Sequence, residues 1–288
     1  MNKLTAEDSK NLHSFFDSAI REDIGNGDHT SLACIPEKAI GRAQLLVKES
    51  GIIAGTEIAK IIASKIDKRL ALKILINDGS PVKPRDIVLT LKGPSRSILK
   101  AERLVLNCMQ RMSGIATKTN RLVQLCKGTK ARVIDTRKTT PGFRKLEKIA
   151  VKTGGGSNHR SGLFDMILIK DNHIDYAGGI PQAIESVLNY KTKHPAFKKL
   201  KVEIEARNLS ELKQILKKGK IDRIMLDNFS IPDLKKALRL IAGKYETEAS
   251  GGITEKNIRN YALCGVDFIS IGALTHSVKS LDLSLKAY

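Results

Sequence analysis

From residue 131 onward one pattern recurs six times: a short apolar run closes on a polar or glycine residue, and the next run follows a stretch with apolar side chains at helical spacing. The runs are ARVID (131–135), DMILIK (165–170), KVEIEA (201–206), DRIMLD (222–227), YETEAS (245–250) and VDFISIG (266–272). Between them lie PGFRKLEKIAVKTG, PQAIESVLNYKTK, LSELKQILKKG, IPDLKKALRLIAGK and TEKNIRNYALCG, each with the polar or glycine ends of a helix. A strand followed by a helix re-enters its sheet in the same direction, so such a series predicts a parallel sheet, either open and doubly wound or closed into a barrel. The similar spacing of the units, and the lack of GxGxxG after the first run, favour the barrel.

The upstream half reads differently. From Ala43 to Gly93 the runs are short and strand-like, with Gly and Pro at the turns and one helical stretch near Glu57 to Ile66, which predicts a small α+β unit. Arg96 to Leu125 carries Ile98, Leu99, Leu104, Val105, Leu106, Met109, Met112 and Ile115 at helical spacing and reads as helices linking the halves. The expected domains are therefore 1–115, sandwich-like with its linking helices, and 116–288, the barrel.

Charge narrows the partners. Fifty Lys plus Arg against thirty Asp plus Glu give a formal net charge of +20, which calls for an anionic ligand or only reflects a lysine-rich surface. Aromatic residues are 4% of the chain, Trp is absent, and no basic run is read as interleaved with Phe or Tyr, so nucleic acid is not the expected partner. A small polyanion, gripped by the few cations that converge on one site, is. The opening MNKLTAEDSKNLHSFFDSAI is acidic and lacks an apolar export core, and no stretch reaches the ~18 uncharged residues of a membrane span. Cys34, Cys108, Cys126 and Cys264 lie far apart without a CxxC pair, as in a reducing cytoplasm, the expected location.

Polar residues gather where the six runs end: Arg137 and Lys138, Lys170 and Asp171, Glu205, Asp227 and Asn228, Ser250 and Gly251, and Gly272. In a βα barrel those ends share one mouth. SGG at 250–252 and Gly272 stand where late barrel strands offer backbone N–H groups to a phosphate. Glu205 and Asp227 are hard oxygen donors suited to Mg2+, while no HxxxH or HExxH suggests zinc. Glu203, two residues before Glu205, is expected to face the other side of its strand. The segment 135–173 brings Arg137, Lys138, Arg144, Lys148, His159, Arg160 and Lys170 together with few carboxylates, as an acidic ligand with planar carboxylates would require.

These segments also carry a resemblance. REDIGNGDHTS, AERLVLNCMQRMSGIAT, DTRKTTPGFRKLEKIAVKTGGGSNHRSGLFDMILIKDNH, VEIEA, IMLDN, EASGGI and SIGALTHS, in that order, resemble quinolinate phosphoribosyltransferase over residues 20 to 285 or so. The resemblance implies an α/β protein, an N-terminal α+β open sandwich followed by an incomplete TIM-like α/β barrel, working as a homodimer or hexamer with shared active sites. It implies transfer of phosphoribose from phosphoribosyl pyrophosphate (PRPP) to quinolinate with loss of CO2 and with Mg2+ as cofactor, and neither a membrane nor a nucleic-acid partner. Arg137, His159, Arg160 and Lys170 match the family's quinolinate contacts, with Arg103 supplied by the neighbouring subunit. Lys138 would sit between both substrates and act with Glu205 and Asp227, the acidic pair near ribose and Mg2+. Ser250, Gly251, Gly272 and His276, with Lys138 and Lys170, would contact PRPP.

Overall fold

The computed structural model describes residues 6–288, so the first five residues of the acidic N-terminal segment lie outside it. In chain order the elements are α1 (Ala6–Ile24), α2 (His29–Cys34), β1 (Ile40–Val47), β2 (Gly51–Ile52), α3 (Thr56–Ile66), β3 (Ala71–Ile74), β4 (Pro81–Val82), β5 (Ile87–Pro94) and α4 (Ser95–Leu125). They continue with β6 (Arg132–Ile134), α5 (Arg144–Thr153), β7 (Ile167–Ile169), α6 (Asp171–Ala177), α7 (Ile180–Lys193), β8 (Val202–Ala206), α8 (Leu209–Lys218) and β9 (Arg223–Asp227). The last are α9 (Ile231–Ile241), β10 (Glu246–Ser250), α10 (Ile258–Leu263), β11 (Phe268–Ser270) and β12 (Leu283–Ala287). The chain forms two compact units: Met1–Asn120 with Thr139–Gly155 and Leu274–Tyr288, and Arg121–Lys138 with Gly156–Ala273.

The first unit is built on an antiparallel sheet in the order β12-β1-β5-β3, beside a short β2-β4 pair. Alternation along β1 buries Ala43, Leu45 and Val47 on one face, the period-two pattern of a half-covered strand. The run expected as several helices is one helix of 31 residues, α4. Its Met109, Met112, Ile115 and Ala116 have no exposed surface. Small residues let other backbone come close: a Cβ on Gly114 would fall inside contact distance of the Lys279 carbonyl. Arg111 on α4 donates to Glu147 Oε1 from Nη2 (2.8 Å) and Nε (3.2 Å), and also reaches the Thr275 carbonyl. The fully buried Glu147 in turn accepts from Thr140 N and Oγ1, fixing the turn that opens α5.

The second unit holds the parallel sheet, in the order β6-β11-β10-β9-β8-β7. All six predicted runs contain its strands, and the five predicted helical stretches contain α5, α8, α9 and α10 whole and α7 except for Ile180. The short α6 was not foreseen. Strand register assigns the two faces. Val202, Ile204, Ala206, Ile224, Leu226, Ala249 and Ile269 share the apolar face, with buried residues of the helices such as Leu212, Ile215, Leu234, Ala237 and Ile258 completing the core. The other face carries Glu203 and Glu205 of β8, Arg223, Met225 and Asp227 of β9, Glu246, Glu248 and Ser250 of β10, and Phe268 and Ser270 of β11.

Among the described residues, β6 and β7 do not pair, so the barrel is open there. The loop after α5 runs along the free edge of β6: Ser157 N donates to Val133 O, and Asp135 N donates to Ser157 O. One surface stretch corrects the reading of basic runs. Tyr190 and Phe197 are interleaved with Lys191, Lys193, Lys198 and Lys199; their rings lie nearly parallel, 6.0 Å apart between centroids, with His194 4.4 Å from Tyr190.

Because the Lys279 carbonyl is backbone and cannot swing aside, Gly114→Ala should destabilise the fold by roughly 1–3 kcal/mol. Urea unfolding of the purified variant measures it, and a change below the error of the transition midpoint would contradict the close approach.

Candidate functional site

The carboxyl ends of β8, β9 and β10 place Glu205, Asp227 and Ser250 on one face, with Ser250 beside Asp227 in the strand register. Glu205 is only 7% exposed. Burial, then the negative charges of Asp227 and Asp171, push its carboxyl up to about 7, against the opposing pull of Lys170 and Arg207. Asp227 and Asp171 thus disfavour charge on Glu205 more than the nearby cations favour it. Asn228 donates from its side chain to Asp227 Oδ2 (2.6 Å), and its backbone N donates to Ser250 O (2.9 Å). Gly251 follows with φ +89°, where a Cβ would also collide with the Asn228 side chain, so the turn after β10 requires glycine. Gly272 opens a single 3-10 turn, Gly272–Leu274, directly after β11.

Cations stand on the ends of β6 and β7 and on the loop between α5 and β7. Arg137 follows β6, and its charge, after burial, pulls the half-buried Arg160 below the ordinary guanidinium range, while Glu203 and Asp165 work the other way. Two guanidinium groups held near each other favour a ligand with planar anionic groups. Arg160 Nη1 reaches Met166 O at 3.3 Å, and Asp165 accepts from the backbone of Ser161 and Gly162, so the loop is braced internally. Exposed Lys170 ends β7 and opens α6, its backbone N donating to His173 Nδ1. Lys138 is exposed, its backbone N donating to Thr136 Oγ1.

His159 points the other way, into the sheet. Its ring is buried, with Nε2 3.0 Å from Glu203 Oε2 and 3.4 Å from Glu248 Oε2. Burial opposes charge on the ring and the two carboxylates favour it; the carboxylates prevail and raise the imidazole above its ordinary value. Glu203 therefore does not face away from Glu205, as expected from the sequence. Residues two apart on a strand share a face, and Glu203 is wholly buried beneath Glu205 on the barrel's inner side. His159, Glu203 and Glu248 are close enough to surround a cation, yet one is already there: Arg223 Nη1 lies 3.3 Å from Glu248 and 3.9 Å from Glu203. The same guanidinium sits over the Phe268 ring at 3.8 Å, with Arg132 at 4.4 Å.

Glu203, Glu248 and Arg223 were missed as site residues. The signal was present in KVEIEA, DRIMLD and YETEAS, where charges alternate with apolar residues inside strands whose other face is core. Arg103 and His276 belong to the first unit. Arg103 is exposed on α4, and His276 pairs its Nδ1 with Ser277 Oγ at 2.6 Å.

The model of the quinolinate phosphoribosyl transferase C-terminal domain matches residues 115–286, and that of the N-terminal domain matches residues 28–113. The chain belongs to the quinolinate phosphoribosyl transferase family. A Nicotiana tabacum relative, quinolinate phosphoribosyltransferase (decarboxylating) 2a, mitochondrial, is 42% identical over 99% of this chain and 84% of its own length. The probable nicotinate-nucleotide pyrophosphorylase (carboxylating) of Bacillus subtilis strain 168 is 40% identical over 96% of this chain and 92% of its own. The solved nicotinate-nucleotide pyrophosphorylase of Francisella tularensis superposes with a TM-score of 0.90 at 41% identity, covering 97% of this chain and 96% of that one. The match to the C-terminal family domain contains every inner-face residue described above, and the match to the N-terminal one contains Arg103.

The raised Glu205 carboxyl has a consequence for stability. Between about 4.5 and 7 the folded protein keeps a proton on Glu205 that the unfolded chain has released, so stability should fall as pH rises through that window. Glu205→Gln, which cannot lose that proton, should remove this part of the decline. Melting temperatures from pH 4.5 to 8 check it; parallel curves for the two proteins would contradict the burial of Glu205 beside Asp227 and Asp171.

Proposed function

We infer that this chain transfers phosphoribose from PRPP to quinolinate and releases CO2, giving nicotinate mononucleotide and pyrophosphate in NAD biosynthesis. The observation that carries the reading is the separation of two charge clusters on one sheet end: Arg137 with Arg160 for a dicarboxylate, and Glu205 with Asp227 for a cation-bound polyphosphate. Lys170 and His159 complete the quinolinate set, with Arg103 entering from the partner of a homodimer or hexamer. Ser250, Gly251, Gly272 and His276, with Lys138 and Lys170, receive the phosphates of PRPP. The four cysteines are free, which suits a reducing compartment such as the cytoplasm.

Glu205 and Asp227 would hold Mg2+, and the fit is electrostatic: a carboxyl raised by neighbouring acids is relieved by a cation. When bound, Mg2+ supplies charge that stabilises the departing pyrophosphate. The protein's residues supply placement and field. As the bond from the anomeric carbon to pyrophosphate breaks, positive charge grows on the ribose, where the carboxylates of Asp227 and Glu205 stabilise it. Lys138 and the backbone N–H groups of the Ser250–Gly251 turn face the phosphates. The pyridine nitrogen of quinolinate, set by Arg137 and Arg160 gripping its carboxylates, attacks that carbon. The positive ring nitrogen so formed stabilises the electron pair left on the adjacent C2 when the 2-carboxylate departs as CO2, and a proton from water then fills that position, so no side-chain nucleophile is needed.

Incubated with quinolinate, PRPP and Mg2+, the purified chain should release one CO2 per nucleotide formed; nucleotide without CO2, or neither, overturns the reading. Arg160→Ala should weaken quinolinate binding by about 1.5–3 kcal/mol with the affinity for PRPP unchanged. Asp227→Ala should instead depress turnover and its Mg2+ dependence. Titration calorimetry separates the two, and equal losses for both ligands in Arg160→Ala would remove its assignment.

A shared site makes a further demand. Arg103→Ala chains and Asp227→Ala chains should each be nearly inactive, while co-expressed chains recover about a quarter of wild-type activity, because half of randomly paired dimers carry one intact site of two. Isolated mixed dimers as inactive as their parents would contradict sharing.

A further inference from the structure

We propose that the end of α7 and the turn after it form a docking surface for single-stranded RNA, with bases on the Tyr190 and Phe197 rings and phosphates on Lys193, Lys198 and Lys199. The proposal goes beyond the functional reading above and does not depend on it. The case against nucleic acid rests on the lack of a basic run interleaved with aromatic residues, and this stretch is such a run.

Three rings meet there in the open. Tyr190 is 44% exposed and Phe197 42%, although each touches two other rings. The planes of Tyr190 and Phe197 differ by only 7°, and His194 stands 4.4 Å from the first and 6.4 Å from the second. At 6.0 Å between centroids the parallel rings leave no room for a base between them, so a base would lie on an outer face. The backbone beneath is fixed. His194 N donates to Tyr190 O (2.9 Å), Phe197 N to His194 O (2.9 Å) and Leu200 N to Phe197 O (3.0 Å), while Lys191 Nζ donates to Leu200 O (2.6 Å). Binding therefore orders little of the protein.

The charge around the rings has one sign. Between Glu185 and Glu203 the chain has five lysines and no carboxylate. Glu185, just before the stretch, pairs with Lys218, and Glu246 pairs with Lys201 at its end. Lys193, Lys198 and Lys199 are exposed and make no ion pair with a described residue. Open ring faces beside unpaired lysines suit a polymer that carries both flat bases and phosphates, whereas an acidic peptide would use the lysines alone. A second copy of the chain would bring the same cations against these. The Tyr190 hydroxyl has no partner among the described residues, which leaves a donor and acceptor for the 2′-hydroxyl that distinguishes RNA. The stretch leads into the amino end of β8, while Glu205 stands near its carboxyl end, so an occupant here leaves the candidate site open.

Fluorescence anisotropy with a labelled uridine oligomer and the whole protein tests the proposal. The oligomer should bind more tightly than a deoxyuridine strand of equal length, polyglutamate or inorganic polyphosphate, which offers charge without rings. Tyr190→Ala with Phe197→Ala should weaken RNA binding about tenfold or more and leave polyphosphate binding unchanged. Lys193→Ala, Lys198→Ala and Lys199→Ala together should reduce the slope of log affinity against log salt by about 2. These lysines are exposed, so that variant reads the surface even if the ring variant does not fold. Because the net charge is +20, a control removes equal charge elsewhere: Lys73→Ala, Lys92→Ala and Lys286→Ala, exposed on β3, β5 and β12, should cost markedly less. Equal losses in that control, full RNA binding by a folded ring variant, or binding to DNA, polyglutamate or polyphosphate as tight as to RNA would overturn the proposal.

Discussion

Charge buried on the inner face of the open sheet must be balanced by charge, and that requirement organises the site above it. Glu203 and Glu248 have almost no access to water, and a lone carboxylate there would cost several kcal/mol. Arg223 answers them from the neighbouring strand, and the imidazole of His159 answers them from a loop. The loop is therefore drawn into the gap between β6 and β7, where Ser157 takes the place of a missing strand partner on Val133. Arg160, the next residue after the imidazole, is carried to the rim. An apolar barrel interior of the same shape would give this loop no reason to enter.

Above that floor, strand ends and loops hold two pairs of like charge. Arg137 disfavours the charge of Arg160, and Asp227 disfavours that of Glu205. Each cluster costs the empty protein stability, and each is relieved by a ligand of the other sign. For the transfer proposed above, such a field would be preorganised, in place before the substrates and needing little rearrangement. The glycine turn after β10 belongs to the same design. Its backbone adopts a conformation that favours glycine, and glycine leaves the turn's N–H groups without a side chain in front of them, as the phosphate contact proposed above requires.

Much of this was legible in the sequence for a simple reason: local periodicity carries it. Each strand of the parallel sheet falls within an apolar run, and α7, α8 and α9 match the helical spacing to within a few residues. Side-chain alternation, a local property too, should have placed Glu203 with Glu205, and the error came from assigning a period-two neighbour to the opposite face. Other features depend on contacts distant in sequence. The pairing of β12 with β1 joins residues some 240 apart, the Arg111–Glu147 ion pair links two helices, and the inward turn of His159 depends on acids 44 and 89 residues downstream. A histidine beside an arginine in a loop reads as two polar residues; only the acids distant in sequence show that the imidazole also meets buried carboxylates.

Arg137 and Arg160, on the proposed function, are spaced for two carboxylates on one ring. Titration calorimetry of the wild-type protein with quinolinate and, separately, with nicotinate, which lacks the 2-carboxylate, measures this without any catalytic step. Quinolinate should bind at least about tenfold more tightly, the worth of one charge-assisted carboxylate grip. Equal affinities for the two acids would contradict the claim.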